Sequence, residues 1–215
     1  MQYLLTHLDK AWDLAIIHLR LSLIPVLLGL VIAVPLGALV QRTTILRRIT
    51  TLTASIIFTI PSLALFVALP LVIPTRILDE ANVIVALTLY TTALLVRAVP
   101  EALDAVSGQV RDAATAIGYR PLTRMLKVDL PLSIPVLVAS LRVVAVTNIS
   151  MVSVGSVIGI GGLGTWFTLG YQANKTGQIV AGIIAIFVLA VAVDTTIWAA
   201  GRLATPWARA RSGGR

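Results

Sequence analysis

Long apolar runs separated by short polar segments set the plan of this chain. A helix crosses the hydrocarbon core of a bilayer with about 20 mostly apolar residues. Five runs fit: 21–40, 52–73, 83–99, 134–158 and 178–201. The third is short and ends at Arg97, and the fourth carries Arg142 and Asn148. Ahead of the first run, residues 4–19 mix apolar positions at helical spacing with Asp9, Lys10 and Asp13. That pattern predicts a helix on the outer membrane surface leading into the first span. Pro25, Pro35, Pro61 and Pro70 fall inside the runs, where membrane helices tolerate proline or kink at it. The expected fold class is all-α and polytopic: an outer segment over 1–19, a five-span domain over 20–201 and a basic tail over 202–215.

Composition supports a membrane solvent. Of the 215 residues 58% are hydrophobic, with a mean hydropathy of +0.96, whereas soluble domains are about 45–50% apolar. The absence of cysteine excludes disulfides, thiolate metal sites and a cysteine nucleophile. The acidic residues Asp9 and Asp13 and the length of the first run argue against a cleavable leader, so the chain is expected to keep its N-terminus.

Net charge is +8, from 17 Lys and Arg against 9 Asp and Glu. The basic residues sit between the apolar runs and form no stripe, which signals topology and not a nucleic-acid partner. Eleven fall on one side: Arg42, Arg47 and Arg48; Arg111, Arg120, Arg124 and Lys127; Arg202, Arg209, Arg211 and Arg215. Lys10, Arg20, Arg76 and Lys175 make four on the other. The positive-inside rule then places the N-terminus outside and the tail in the cytoplasm. Trp12, Trp166 and Tyr171 are expected as anchors at the outer boundary, Trp198 and Trp207 at the inner one.

The longest hydrophilic stretch, 100–133, lies on the cytoplasmic side of this scheme. Residues 112–117 favour helix, and Gly118 breaks it with its access to positive φ. Arg120-Pro121 starts a second helix, proline being permitted in a first turn, and Leu130-Pro131 is expected to end that helix before the next span. A helix, a tight turn and a helix thus face the cytoplasm.

Asp112-Ala113-Ala114, three residues, Gly118, eleven residues and Leu130-Pro131 together resemble the "EAA" loop of ABC-importer permeases. Asp112 stands where the family has Glu, and Val128-Asp129-Leu130-Pro131 stands for its Ile-x-Leu-Pro ending. The resemblance spans residues 15–200 and implies the five-helix, MetI-like type I permease fold. It implies that Asp112, Ala113, Ala114, Gly118, Arg120, Leu130 and Pro131 form the coupling helix that docks on a separate ATPase. Small Ala113 and Ala114 allow close approach, and Arg120, Arg124 and Lys127 are placed to reach acidic groups on that partner. An ordinary basic cytoplasmic loop would account for the charge but not for the spacing of Gly118 and Leu130-Pro131.

A finer resemblance lies in Gly155-Ser156-Val157-Ile158-Gly159-Ile160-Gly161-Gly162-Leu163-Gly164, in Ile179-Val180-Ala181-Gly182 and in Thr59-Ile60-Pro61-Ser62-Leu63-Ala64. These are similar to the permease branch that imports glycine betaine, choline or carnitine. Methionine importers carry related glycine-rich segments, which leaves an amino-acid-like solute as the alternative. The implied partners are a second permease subunit, identical or homologous, an ABC ATPase that uses ATP and Mg, an extracytoplasmic solute-binding protein and the lipid bilayer. No cofactor is expected in this chain.

Other motifs fail on context. Gly159-x-Gly161-x-x-Gly164 has the form of a dinucleotide fingerprint, but it follows a span instead of a strand, and no acid occurs before Asp194. Its glycines are expected to permit a close, irregular backbone at the outer mouth. Gly155 and Gly159 also offer a small-residue packing face. Gly170 to Lys175-Thr176 lacks the glycine before Lys that a phosphate loop needs, so ATP must be hydrolysed elsewhere. His7 and His18 stand eleven residues apart, about 16 Å along a helix. They cannot share a metal and are expected at the surface or interface.

Ionisable groups inside spans are functional candidates. Arg97 can snorkel to the cytoplasmic interface. Asp194 is expected to pair with a basic neighbour in preference to relaying protons. Arg142 and Asn148, with Gly159, Gly161, Gly162 and Gly164, are candidates for lining or gating a pathway. An intramembrane enzyme would need converging catalytic groups, which these spans lack. A non-transporting assembly protein would leave the Gly118 to Pro131 spacing without a cause.

Overall fold

The computed structural model describes residues 2–41 and 43–208. Arg42 and, in the tail, Arg209, Arg211 and Arg215 lie outside the described residues. A short helix α1 (Gln2–Thr6) precedes α2 (Leu8–Val40), which runs 33 residues without a break. The expected outer helix and first span are therefore one continuous rod. Its upper part is no surface element throughout, because His18, Leu21 and Ser22 are fully enclosed.

Thr43 caps α3 (Thr44–Thr59) by accepting the Leu46 N–H at 3.2 Å, a bond worth about 1 kcal/mol. The helix stops at Ile60-Pro61. Pro61 disfavours the helical conformation at the residue before it, and Ile60 is extended, with φ −67° and ψ 127°. The freed Ile60 carbonyl accepts a hydrogen bond from the buried Tyr90 hydroxyl. The chain then turns 88° into α4 (Ser62–Ala68) and a 3-10 turn, Leu69–Leu71. The run expected as a straight second span is thus a bent pair.

Asp79 caps α5 (Glu80–Asp104) by accepting from Ala81 N–H at 2.9 Å. This helix passes through Pro100 to Asp104, whereas the cytoplasmic loop was expected to open at Pro100. A proline in a helix forfeits one backbone bond. Here Val99, Pro100, Ala102 and Leu103 are all buried, and their burial offsets that loss. After α6 (Gly108–Ala116) and α7 (Pro121–Arg124), a π turn over Met125–Asp129 leads directly into α8 (Leu130–Gly155). A 3-10 turn, Ser156–Ile158, and α9 (Thr165–Gln172) precede α10 (Thr176–Ala204).

Among the described residues four helical stretches, Leu8–Val40, Glu80–Asp104, Pro121–Ile158 and Thr176–Ala204, are long and apolar enough to cross a membrane, and the bent pair makes five if it counts as one span. The helices α2 and α5 form the centre, packed so closely that Gly29 lies on Thr91 and Gly37 on Val99. One apolar cluster, with Leu21, Phe66, Leu87, Tyr90 and Val152, joins α2, α4, α5 and α8. A second, with Ala33, Ala54, Leu95, Ile149 and Val193, adds α3 and α10.

The aromatic residues divide. Trp12 and Tyr171 are exposed, as are Trp198 and Trp207, and the Arg202 guanidinium lies 5.3 Å above the Trp198 ring. Trp166 is a correction to the expected outer belt: it is only 3% exposed and meets the Tyr3 ring edge-on at 5.5 Å. It is a packing residue, because α9 folds back onto α10 and brings Trp166 against Tyr3 of α1.

Candidate functional site

The hydrophilic hairpin forms as its residues demand. Helix α6 ends at Ala116 with Ile117 as its cap, and Gly118 follows with φ +94°, a conformation open to glycine and costly for side chains. Gly118 N–H donates to the Thr115 carbonyl at 3.0 Å, and Tyr119 N–H donates to that of Ala114 at 3.1 Å. This pair of bonds is the Schellman closure of a helix. Arg120 is extended, and Pro121 opens α7 at the position where a missing N–H costs nothing.

Asp112, Ala113, Gly118 and Arg120 are exposed along this hairpin, and Ile117 and Leu122 add exposed apolar surface. Ala114 is buried instead, under the hairpin. A cavity of about 750 Å³ lies behind it, lined in part by Gln41, Asp104, Arg111, Arg120, Arg124 and Asp129. Asp104 accepts hydrogen bonds from Gln41 at 2.8 Å and from Arg47 at 2.7 Å, tying the end of α2, the start of α3 and the end of α5 together.

Leu130-Pro131 does not end the second helix, contrary to expectation. The Leu130 N–H donates to the Met125 carbonyl five residues back, which makes the π turn. Pro131 has no N–H to offer, and the widened turn absorbs that missing bond without breaking the rod. Leu130 and Pro131 are half-buried in the rod and so are not at the exposed tip. Arg124 also departs from expectation. Its guanidinium is held inside the hairpin, 3.3 Å from Asp129 and 3.0 Å from the Thr115 hydroxyl, and not turned out toward a partner. Asp129, 4% exposed, is the residue that sequence reasoning passed over. An acid at the start of a span, among Arg111, Arg120 and Arg124, is the signal that marks it.

At the opposite end, the glycines make the close backbone expected of them. Gly159 has φ +81° and ends the 3-10 turn, and Gly162, with φ +22°, sits where a Cβ would fall 2.6–2.8 Å from His18. Gly161 lies against Ser156, and Gly164 against the Ser153 backbone. Gly155 faces the Ile160 carbonyl, whereas nothing approaches Gly159, so the two do not share a packing face.

His18 corrects the expectation of a surface histidine. It is 0% exposed, and its Nε2 lies 2.8 Å from the Ile149 carbonyl. The glycine loop packs directly over it, which single-helix periodicity could not show. His7 stacks on Tyr3 at 4.3 Å, between α1 and α2.

Within the spans, Asp194 has the basic partner expected of it. Arg142 donates to both its carboxylate oxygens, Nε at 2.8 Å and Nη2 at 2.7 Å, joining α8 to α10. Each side chain keeps about a third of its surface open, at 34% and 30%. Arg97 is exposed and leans toward the Ser55 hydroxyl of α3. Asn148 is enclosed within this chain. It is 1% exposed and donates to the Thr91 hydroxyl at 2.8 Å and the Ser22 carbonyl at 3.3 Å, fastening α8 to α5 and α2. Among the described residues no group of His, Cys, Asp or Glu is placed to hold a metal ion.

Residues 15–203 match the family of binding-protein-dependent transport system inner membrane components. The chain is 32% identical to the osmoprotectant import permease protein OsmW of Salmonella typhimurium, over 90% of this chain and 91% of that protein. It is 31% identical to the choline transport system permease protein OpuBB of Bacillus subtilis, over 88% and 86%. Among solved structures it is similar to an inward-facing conformation of the MetNI methionine ABC transporter, with a TM-score of 0.72, 27% identity and coverage of 88% and 92%.

Proposed function

The chain belongs to the binding-protein-dependent transport system inner membrane components, and on that footing we propose that it carries an osmoprotectant of the glycine betaine, choline or carnitine class inward. As a member of that family it is a multi-pass inner-membrane permease subunit of an ABC importer, with no catalysis of its own. Such importers work with an ATPase and a solute-binding protein. In the proposed assembly, two permease subunits, identical or homologous, enclose the path, with N-termini outside and tails in the cytoplasm.

The observation that carries the coupling role is the Gly118 hairpin. It offers Asp112, Ala113, Ile117, Arg120 and Leu122 on a hairpin whose second helix continues, without a loop, into the span α8. A docked ATPase that moves this turn moves α8 with it. ATP and Mg are bound by the ATPase, and the hairpin passes on displacement only. Because the chain has no cysteine, a single cysteine placed at Ala113 is the sole thiol of this chain. Cross-links to the ATPase from position 113, and none from an outer position such as Lys175, support the assignment; the reverse pattern overturns it.

The substrate class rests on the relatives named for osmoprotectant and choline transport. The likeness to the methionine transporter favours an amino-acid solute as the second reading. Competition decides between them: unlabelled glycine betaine, carnitine or choline, and not methionine, should block uptake by cells that depend on this permease.

A further inference from the structure

We propose that Asp129 is the positioning residue that locks α6 to α8, so that displacement of the coupling helix reaches the span instead of being lost in the hairpin. The proposal rests on the coupling role assigned to that hairpin. Helix α6 is short, and its packed neighbours are α7 and the π turn, with the 750 Å³ cavity behind the hairpin. A lever mounted this way transmits force only if something stiff ties it to the rod.

Asp129 meets that need from inside the π turn. The residue is 4% exposed, and its carboxylate lies 3.8 Å from Arg111 of α6 and 3.3 Å from Arg124 of α7. Arg111 also donates to the Leu103 carbonyl on α5, and Arg124 to the Thr115 hydroxyl on α6. One buried carboxylate thus gathers both helices of the hairpin onto the first residues of the α8 rod. A buried charge left without its partner is strongly unfavourable, so the three groups hold together or separate together.

The π turn is what aims it. An extra residue in one helical turn rotates everything before it relative to everything after it, and such turns recur at functional sites. Here the Leu130 N–H reaches back to Met125, and Pro131 removes the bond that would restore ordinary winding. The turn therefore sets the rotation that carries Asp129 toward α6. At Asp129 Oδ1 and Arg111 Nε the clamp has no hydrogen bond closed in this conformation, and both atoms are buried. The 3.8 Å gap between them leaves room for that contact to tighten when the ATPase presses on α6.

The test uses the whole transporter in proteoliposomes, with spin labels on single cysteines at Ala116 and Ala139. The wild type should give one narrow distance distribution and take up substrate when ATP is supplied. Asp129→Asn should broaden the distribution and cut uptake at least tenfold while the ATPase still co-purifies, and Asp129→Glu should restore most of both. If Asp129→Asn does not insert, Arg111→Gln and Arg124→Gln serve in its place and should each broaden the distribution. An unbroadened distribution, or wild-type uptake by a variant whose distribution is broad, overturns the clamp and leaves the permease reading standing. A wild-type chain that binds no ATPase overturns both.

Discussion

Arg142 of α8 grips both carboxylate oxygens of Asp194 on α10, at 2.8 and 2.7 Å, across 52 residues of chain. Ionised groups at membrane depth persist when each neutralises the other or faces protein or water. Removing either partner should therefore lower both the amount of inserted protein and the melting temperature in detergent. Exchanging them, Arg142→Asp with Asp194→Arg, should recover part of both. A double exchange no better than the single variants would show that the pair does not act as a pair.

The turn at Gly118 is tested by a graded series. Nothing lies within 4 Å of a Cβ built there, so a substitution is resisted only by the φ of +94°. The left-handed conformation costs an ordinary residue about 1–2 kcal/mol, and asparagine less. Binding of the ATPase should fall in the order Gly, Asn, Ala, Val, with membrane insertion unchanged. Pull-down of the ATPase from membranes checks it, and equal binding across the series would remove the hairpin from the interface.

Gly162→Ala is limited by space as well as backbone. Its new methyl would fall 2.6–2.8 Å from the Cβ and backbone of His18. Overpacking of this kind costs about 1–3 kcal/mol, and thermal unfolding in detergent should show it. Gly177→Ala, where nothing lies within 4 Å, is the matched control and should be neutral.

Asn148→Ala should cost about 1 kcal/mol, the scale of an interhelical bond inside a membrane, because it frees Thr91 and the Ser22 carbonyl. If Asn148 lined the path instead, the variant would change uptake kinetics and leave the melting temperature alone.

Topology has its own readout. Reporters fused after residues 45, 78, 120 and 168 should alternate inside, outside, inside, outside. The bend at Ile60-Pro61 makes the second the informative one. Fusions after 45 and 78 on the same side would make α3 and α4 a re-entrant pair.

Much of the frame was legible from the apolar runs, because a span must be long and continuous in its hydropathy whatever it packs against. The Gly118 turn was legible too, since a positive φ and a following proline are local demands. What escaped depends on rotation about helix axes. The burial of His18, Trp166 and Asn148, the partner of Asp194 and the inward reach of Arg124 are set by which face meets which neighbour. A polar residue in an apolar run announces that it needs a partner but not where that partner lies. The π turn was hidden for a related reason: Pro131 at a helix start and Pro131 after a widened turn look alike in sequence, and the chain's continuity decides between them.

ATP-driven inward transport by this chain with its ATPase and binding protein is measured most directly in a reconstituted system. Proteoliposomes holding the permease and ATPase, with the binding protein outside and ATP enclosed, should accumulate radiolabelled glycine betaine, choline or carnitine. Accumulation should cease when ATP or the binding protein is omitted. Equal uptake with and without ATP, or none with any of these solutes, would contradict the account.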